Sequence, residues 1–310
     1  MISIVTTFKP FKGIFKTIQL NALRSWLRFC PSCEIIILGD DEGSKQVADE
    51  YGLLHVTNIP RNSFGTPLLD GLIKIGSDNA RFDTICLMNS DIILLKVDLR
   101  SLERVTRLKK YLLTSKRRDV IINGLINYED AKQLEYLWNC VKMVQPKGND
   151  LFMFRRDTIE DYVPPLPIGR GDHARLLIYL ALKMKMPVID ATRTIYTLHQ
   201  HHDYSHITYL NKVIRRGIEL SFTPEGRELE RLCPYSAYFG GEDCNYLLSD
   251  SGDLLYKSDM LSIARRVAKA PLLSDRTLNI LNYLSSITHP LKREKAFMRH
   301  LLCRLRIFYV

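Results

Sequence analysis

The sequence is poor in the features that mark specialised folds. Only seven of its 310 residues are cysteine, an odd number at irregular spacing: Cys30, Cys33, Cys86, Cys140, Cys233, Cys244 and Cys303. That pattern excludes a disulfide framework or a zinc cluster as the organising device. Cys30 and Cys33 form a C-x-x-C, but after a helical pattern and before a strand, the reverse of where a redox pair sits. Two free thiols in a loop are therefore expected, which fits a reducing compartment. No apolar stretch approaches the ~18 residues needed to span a bilayer. The chain enters a strand pattern at Ile2 with no basic-then-apolar leader. A cytoplasmic protein, at most peripheral at a membrane surface, is the expectation. There is neither an internal repeat nor a low-complexity linker.

What is present is ordinary globular composition, 46% hydrophobic and 25% charged, in a chain long enough to bury a large core. The formal net charge of +10 permits nucleic acid, anionic lipid or phosphorylated ligands as partners. The basic residues are spread out, with denser stretches at 104–118 and 292–306. Neither stretch is interleaved with the glycine and aromatic pattern of an RNA-binding sheet, so no nucleic-acid partner is expected.

The first half alternates in type. Ile2–Thr7, Glu34–Leu38, Leu53–Val56 and Thr84–Met88 read as strands. Phe15–Phe29, Ser44–Tyr51 (capped by Ser44) and Pro67–Ala80 read as helices. This order predicts an α/β fold with a mainly parallel sheet flanked by helices. Later, Val120–Ile126, Leu151–Phe154, Pro187–Asp190 and Thr194–Leu198 read as strands and Leu176–Met184 as helix. The chain is divided as a domain over 1–256 and a helical C-terminal extension over 257–310 packed on it.

Ligands of such sheets sit beyond the carboxyl ends of the strands. That puts Thr6, Thr7 and Phe8, then Asp40 and Asp41, then Asn89, Ser90 and Asp91 around one crevice. A carboxylate such as Asp91 can hold Mg²⁺ or Mn²⁺, though an Asp at a strand end is also simple turn chemistry. The run from Thr197 to His206 carries four of the eight histidines. It is a poor core former and a good source of metal ligands, or else a solvated polar loop. His199, which ends a strand, is the ligand chosen, with one histidine expected on the metal. Asp172, at the start of a helix, could be a general base or a helix cap. Asp150 could bind an acceptor hydroxyl or shape a turn.

Several segments together resemble a group of GT-A nucleotide-diphospho-sugar transferase-like proteins. They are Phe64-Gly-Thr-Pro-Leu-Leu69, Asn89-Ser-Asp-Ile-Ile-Leu94, Gly148-Asn-Asp-Leu-Phe-Met-Phe-Arg155, Pro164 to Arg170, Val188 to Thr192, and His199-Gln-His-His-Asp-Tyr-Ser-His206. The resemblance spans roughly residues 1–256. It implies a GT-A fold and a metal-dependent glycosyltransferase taking a nucleoside-diphosphate sugar as donor and a glycan or other hydroxyl acceptor. It also implies that Thr6, Thr7 and Asp40 hold the nucleotide, and that Asp91 and His199 bind Mn²⁺ or Mg²⁺. Asp150 and Asp172 would face the acceptor. Two positions depart from the pattern: Asn89 stands where an acid is usual, and Gly171-Asp-His-Ala174 replaces a Trp-Asp pair. These motivate an alternative, a nucleotide- or glycan-binding protein without catalysis. A nucleotidyltransferase is a further alternative, disfavoured because Thr6 to Gly13 has one glycine. The basic amphipathic stretch from Lys292 could lie on anionic lipid, or dock on the body through Phe297, Leu301 and Leu305.

Overall fold

Period-two burial explains the strands. In a sheet covered on both faces, both sides of every strand are apolar, so the strands read as unbroken hydrophobic runs. The computed structural model describes residues 1–170, 173–202, 220 and 223–275. In chain order the elements are β1 (Ser3–Thr7), α1 (Gly13–Phe29), β2 (Glu34–Leu38), α2 (Ser44–Tyr51), β3 (Leu54–Val56), α3 (Leu69–Asn79), β4 (Thr84–Met88) and β5 (Ile92–Val97). Then follow α4 (Leu99–Thr106), β6 (Leu112–Lys116), β7 (Arg118–Val120), α5 (Ala131–Met143), β8 (Asn149–Arg155), α6 (His173–Lys183), β9 (Val188–Asp190) and β10 (Ile195–Gln200). The last are α7 (Glu228–Leu232), β11 (Tyr246–Leu248), β12 (Leu254–Tyr256) and α8 (Met260–Lys269).

Nine strands form one sheet in the order β12-β11-β9-β6-β8-β4-β1-β2-β3, and β5, β10 and β7 form a second, small sheet. Most neighbours in the large sheet run parallel, and β8 runs antiparallel between β4 and β6. The fold is thus the expected α/β class, with a mainly parallel sheet flanked by helices.

Side chains alternate between two cores. Val5, Ile36, Leu38, Ile85, Leu87, Phe152 and Phe154 point to one face, where α3 and α6 cover them. Ile4, Ile35, Ile37, Cys86, Met88, Leu151 and Met153 point to the other, under α1, with Trp26 fully buried. A third cluster joins the small sheet to α5 through Ile93, Leu95, Leu198 and Leu137. Helix α1 also holds the small sheet by polar bonds. The Trp26 indole Nε1 donates to the Ile92 carbonyl at 2.8 Å, and the Leu94 amide donates to Ser25 Oγ at 2.9 Å.

Three expectations need correction. The strand expected over 120–126 ends at Val120, and the chain runs on as loop; its apolar residues mislead because Ile121 and Leu125 are exposed. Ser44 does not cap α2 but is its first residue, preceded by Gly43 in the left-handed region. Cys30 and Cys33 are joined rather than free. A turn closed by the Cys33 amide on the Cys30 carbonyl at 2.9 Å brings the two side chains together. Cys86, Cys140, Cys233 and Cys244 are free. Of the expected extension, α8 is seen to tie its Lys269 ammonium to Asp243 at 2.7 Å. The stretches 292–306 and 276–291 lie outside the described residues. No helix among the described residues is long and apolar enough to cross a membrane.

Helix α3 approaches β1 so closely that Gly76 has no room for a side chain. A Cβ there would lie 2.5 Å from Val5 Cγ1 and 2.8 Å from Cγ2, and a β-branched valine inside a sheet cannot swing away. Gly76→Ala should destabilise the protein by about 1–3 kcal/mol, read as a lower urea midpoint at unchanged slope. Adding Val5→Ala should recover part of that loss; strict additivity of the two changes would refute the contact as its cause.

Candidate functional site

The two sheets meet at a turn. Strand β4 ends at Met88 in the large sheet, and β5 begins at Ile92 in the small one, so Asn89, Ser90 and Asp91 are the crossing. The Ile92 amide closes this turn on the Asn89 carbonyl at 3.2 Å. Strand β8, antiparallel to β4, starts at the same edge and brings Asp150 beside Asn89. Strand β10, antiparallel to β5, finishes there, with His199 opposite Ile92. Strand β7 lies along β10 with Asp119 opposite His199. Residues far apart in sequence therefore converge on Asp91.

A buried amide pair fixes this convergence. The Asn21 Nδ2 donates to Gln200 Oε1 at 2.9 Å and to the Gly124 carbonyl at 3.0 Å, while Asn21 Oδ1 accepts from the Ile126 amide at 2.8 Å. Gln200 Nε2 in turn donates to the carbonyls of Ile18 at 2.9 Å and Asp91 at 3.2 Å. Helix α1, the 124–126 loop, β10 and the Asp91 turn are thus bonded through two side chains.

Asp91 is the centre. It is buried, 6% exposed, and Oδ2 lies 3.1 Å from His202 Nε2, 3.9 Å from His199 Nε2 and 3.7 Å from Lys9 Nζ. Its other oxygen, Oδ1, is buried with no hydrogen-bond partner. Burial pushes its pKa up, but the charges of His199 and Lys9 and the hydrogen bond from His202 together outweigh it, so the carboxyl stays well below the usual range. The same burial lowers the pKa of Lys9, against the pull of Asp91. His199 Nδ1 is held by Asp119 Oδ1 at 3.1 Å. Bonding to His199, with help from Arg117, depresses the Asp119 carboxyl.

Among the described residues Asp91, His199 and His202 form a group whose nitrogen and oxygen ligand atoms lie within 4.8 Å of one another. The orphaned Oδ1 and the two imidazoles fit a divalent cation. Nitrogen ligands favour a first-row transition ion such as Mn²⁺ over Mg²⁺, which prefers oxygen.

A cleft of about 1050 Å³ opens over this group, lined by Thr7, Phe8, Lys9, Asp41, Arg61, Asn89, Ser90, Asp91, Arg117, Asp150, Arg170, His199 and His202 among others. Its walls carry more cationic than anionic side chains, which suits a polyanionic ligand. A smaller hollow of about 540 Å³, lined by Arg24, Leu27, Tyr51 and Glu129, lies elsewhere and holds no such cluster.

The expected site residues divide accordingly. Asp91, His199, Asn89, Ser90, Asp150, Thr7 and Phe8 reach the cleft. Thr6 is buried inside β1, its hydroxyl without a partner. Asp40 is exposed and salt-bridged to Arg61 at 3.0 Å, outside the cleft wall, where its neighbour Asp41 stands instead. Both oxygens of Asp150 are taken: Oδ1 accepts from Asn89 Nδ2 at 3.0 Å, and Oδ2 is paired with Arg117. Asp172 lies outside the described residues. The expectation of one histidine on the cation meets two at the cluster. His202 was within the histidine-rich run, and Lys9 within the stretch after β1. Arg170 ended one of the quoted segments without a role of its own, and Asp119 and Arg117 carried no signal, since nothing in the sequence pairs β7 with β10.

No protein-family model and no curated protein matches this chain. Solved structures do: residues 1–349 of TarS from S. aureus in complex with UDP-GlcNAc align at 12% identity and a TM-score of 0.43. That match covers 67% of this chain and 60% of the TarS chain. GalNAc-T7 with UDP, GalNAc and Mn²⁺ aligns at 12% identity and 0.43 over 65% of this chain and 43% of its own. At such identities and scores the likeness adds nothing to what the strand order and the site already carry.

The amide pair gives a direct test. Asn21→Ala leaves the Ile126 amide and Gln200 Oε1 short of a buried partner, at a cost of about 1–3 kcal/mol. Chemical denaturation reads it. A loss under about 0.5 kcal/mol, the range of indifferent surface changes, would show that the pair does not hold the site together.

Proposed function

We propose that this protein is a metal-dependent glycosyltransferase, moving a sugar from a nucleoside-diphosphate sugar to a hydroxyl acceptor, expected to be a glycan. The observation that carries the reading is the Asp91, His199 and His202 group at the floor of a cation-rich cleft, beyond the carboxyl ends of β1 and β4. Such sheets bind nucleotides at that edge. The resemblance of the motifs, above all His199 to His206, supports it.

Asp91, His199 and His202 would hold Mn²⁺ or Mg²⁺, with Mn²⁺ favoured by the imidazoles. When bound, the ion supplies charge neutralisation to the diphosphate as it leaves. The chain's own residues supply the rest. Lys9, half-buried over the ring of Phe15 and 3.7 Å from Asp91, would offer a cation to phosphate oxygens. The backbone of Lys9 is fixed on α1, its amide donating to Gln19 Oε1 at 2.6 Å and its carbonyl accepting from Gln19 Nε2 at 2.8 Å. Asp41, salt-bridged to Arg61 at 2.7 Å, takes the place expected of Asp40 at the nucleotide end. Asp150, held by Asn89 and Arg117, would orient an acceptor hydroxyl by exchanging one of these contacts for it. Asp172 remains the proposed base toward that hydroxyl.

One observation favours a second reading, a nucleotide-binding protein without turnover. Both oxygens of Asp150 are engaged, by Asn89 and Arg117, so an acceptor hydroxyl would have to compete for them. Release of nucleoside diphosphate from a donor, with and without acceptor sugars, separates the two readings.

The binding test comes first. Thermal stability is measured against a panel of nucleoside diphosphates and nucleotide-sugars, with Mn²⁺, with Mg²⁺ and with neither. A ligand at 100 times its dissociation constant adds about 2.7 kcal/mol if it binds only the folded state. One nucleotide should give a Mn²⁺-dependent shift that Asp91→Ala abolishes and His199→Ala and His202→Ala each reduce, with a smaller shift in Mg²⁺. No shift with any nucleotide would overturn the transferase reading.

A further inference from the structure

We propose that Asp119 is the positioning residue of the cation site: a carboxylate on β7 that fixes the ring of His199 and thereby aims its second nitrogen at Asp91. The inference rests on the reading of Asp91, His199 and His202 as a metal centre.

Three observations carry it. The first is the hydrogen bond itself, His199 Nδ1 to Asp119 Oδ1 at 3.1 Å, with His199 Nε2 facing Asp91 Oδ2 at 3.9 Å on the opposite side of the ring. An ionised carboxylate only accepts, so Nδ1 carries the proton, and it is Nε2 that can offer a lone pair to a cation. A carboxylate behind a ligating imidazole fixes ring and tautomer and strengthens the ligand.

The second is that the backbone builds the pair. His199 and Asp119 are register partners in the parallel pairing of β10 with β7, and the His201 amide extends it to the Val120 carbonyl at 2.8 Å. Partners in register project to the same face of a sheet, so the contact is set by strand pairing rather than by two mobile side chains. Strand β7 is only three residues long. Within it, Asp119 faces the cluster while Val120 faces the third core.

The third is that Asp119 is itself held. Arg117 Nε lies 3.2 Å from Oδ1 and Lys147 Nζ 3.4 Å from Oδ2. The Lys147 amide donates to the Arg117 carbonyl at 2.7 Å, which ties the 147–149 segment to β7. Cations beside both oxygens oppose rotation of the carboxylate away from the ring it orients.

The test uses the full chain and Mn²⁺ alone, with free Mn²⁺ counted by electron paramagnetic resonance during titration. The variants are Asp119→Ala, Asp119→Asn, His199→Ala, Asp91→Ala and the double variant Asp119→Ala/His199→Ala. Asp119→Ala should weaken Mn²⁺ binding about 10–100-fold. Asp119→Asn, which keeps an acceptor for Nδ1–H, should recover much of that loss. In the His199→Ala background, removal of Asp119 should cost little more, because its effect runs through the ring. A merely electrostatic or structural role predicts the opposite: an equal loss with or without His199, and no rescue by Asn. Either result overturns the proposal, as does unchanged affinity in Asp119→Ala. If the wild type takes up no Mn²⁺, or Asp91→Ala binds it as well as the wild type, the metal centre fails and this inference falls with it. Wild-type uptake lost in Asp91→Ala but kept in Asp119→Ala would sink the positioning role alone.

Discussion

A single carboxylate in the wrong solvent organises this molecule. Asp91 is buried, and an isolated buried carboxylate would take up a proton rather than bear its charge in a medium of low dielectric. It stays ionised because Lys9, His199 and His202 are brought against it from two different segments. Each of those groups is placed by a larger element. Lys9 stands in the loop between β1 and α1, His199 is the last residue but one of β10, and His202 lies two residues beyond the strand. The fold can be read as the scaffold that delivers three nitrogens to one carboxylate and still leaves its second oxygen without a partner.

That delivery depends on two sheets rather than one. In a single parallel sheet the residue after β4 would turn directly into a helix. Here the chain crosses at Asn89 to Asp91 into the small sheet, whose strands run back under α1. The crossing sits where β1 and β4 end, the edge at which α/β sheets bind ligands. The antiparallel strands β8 and β10 then bring in Asp150 and His199, which a purely parallel arrangement would carry to the far edge.

The large sheet was legible in the sequence because burial on both faces writes itself as apolar runs at Ile2, Ile35, Ile85 and Leu151. Asp91 was legible as a carboxylate at a strand end between two such runs, but not as a crossing into a second sheet. The small sheet was less so. Val120 to Ile126 mimics a strand, yet only its first residue pairs, because Gly124 and the Asn21 side chain claim the backbone of the loop. Asp119 was invisible because its role comes from a parallel pairing of residues eighty positions apart, and no local pattern encodes that. The same limit applies to Asp40 and Asp41. Adjacent acids on a turn look equivalent in sequence, and only the position of Arg61 and the cleft wall separates them.

The wall that would meet an acceptor and the floor that would meet a cation are not independent. Arg117 is paired with Asp150 on one side and Asp119 on the other, and Asp119 holds His199, which faces Asp91. Asn89 closes the line from the other end by bonding to Asp150 beside the Asp91 turn. In such a network each charge sets the cost of the next, so the effect of altering one member depends on the state of the others. A ligand that drew Arg117 away from Asp150 would at once free a carboxylate at the wall and loosen the clamp behind His199. Were the wall to meet an acceptor and the floor a cation, the two would be coupled through one guanidinium.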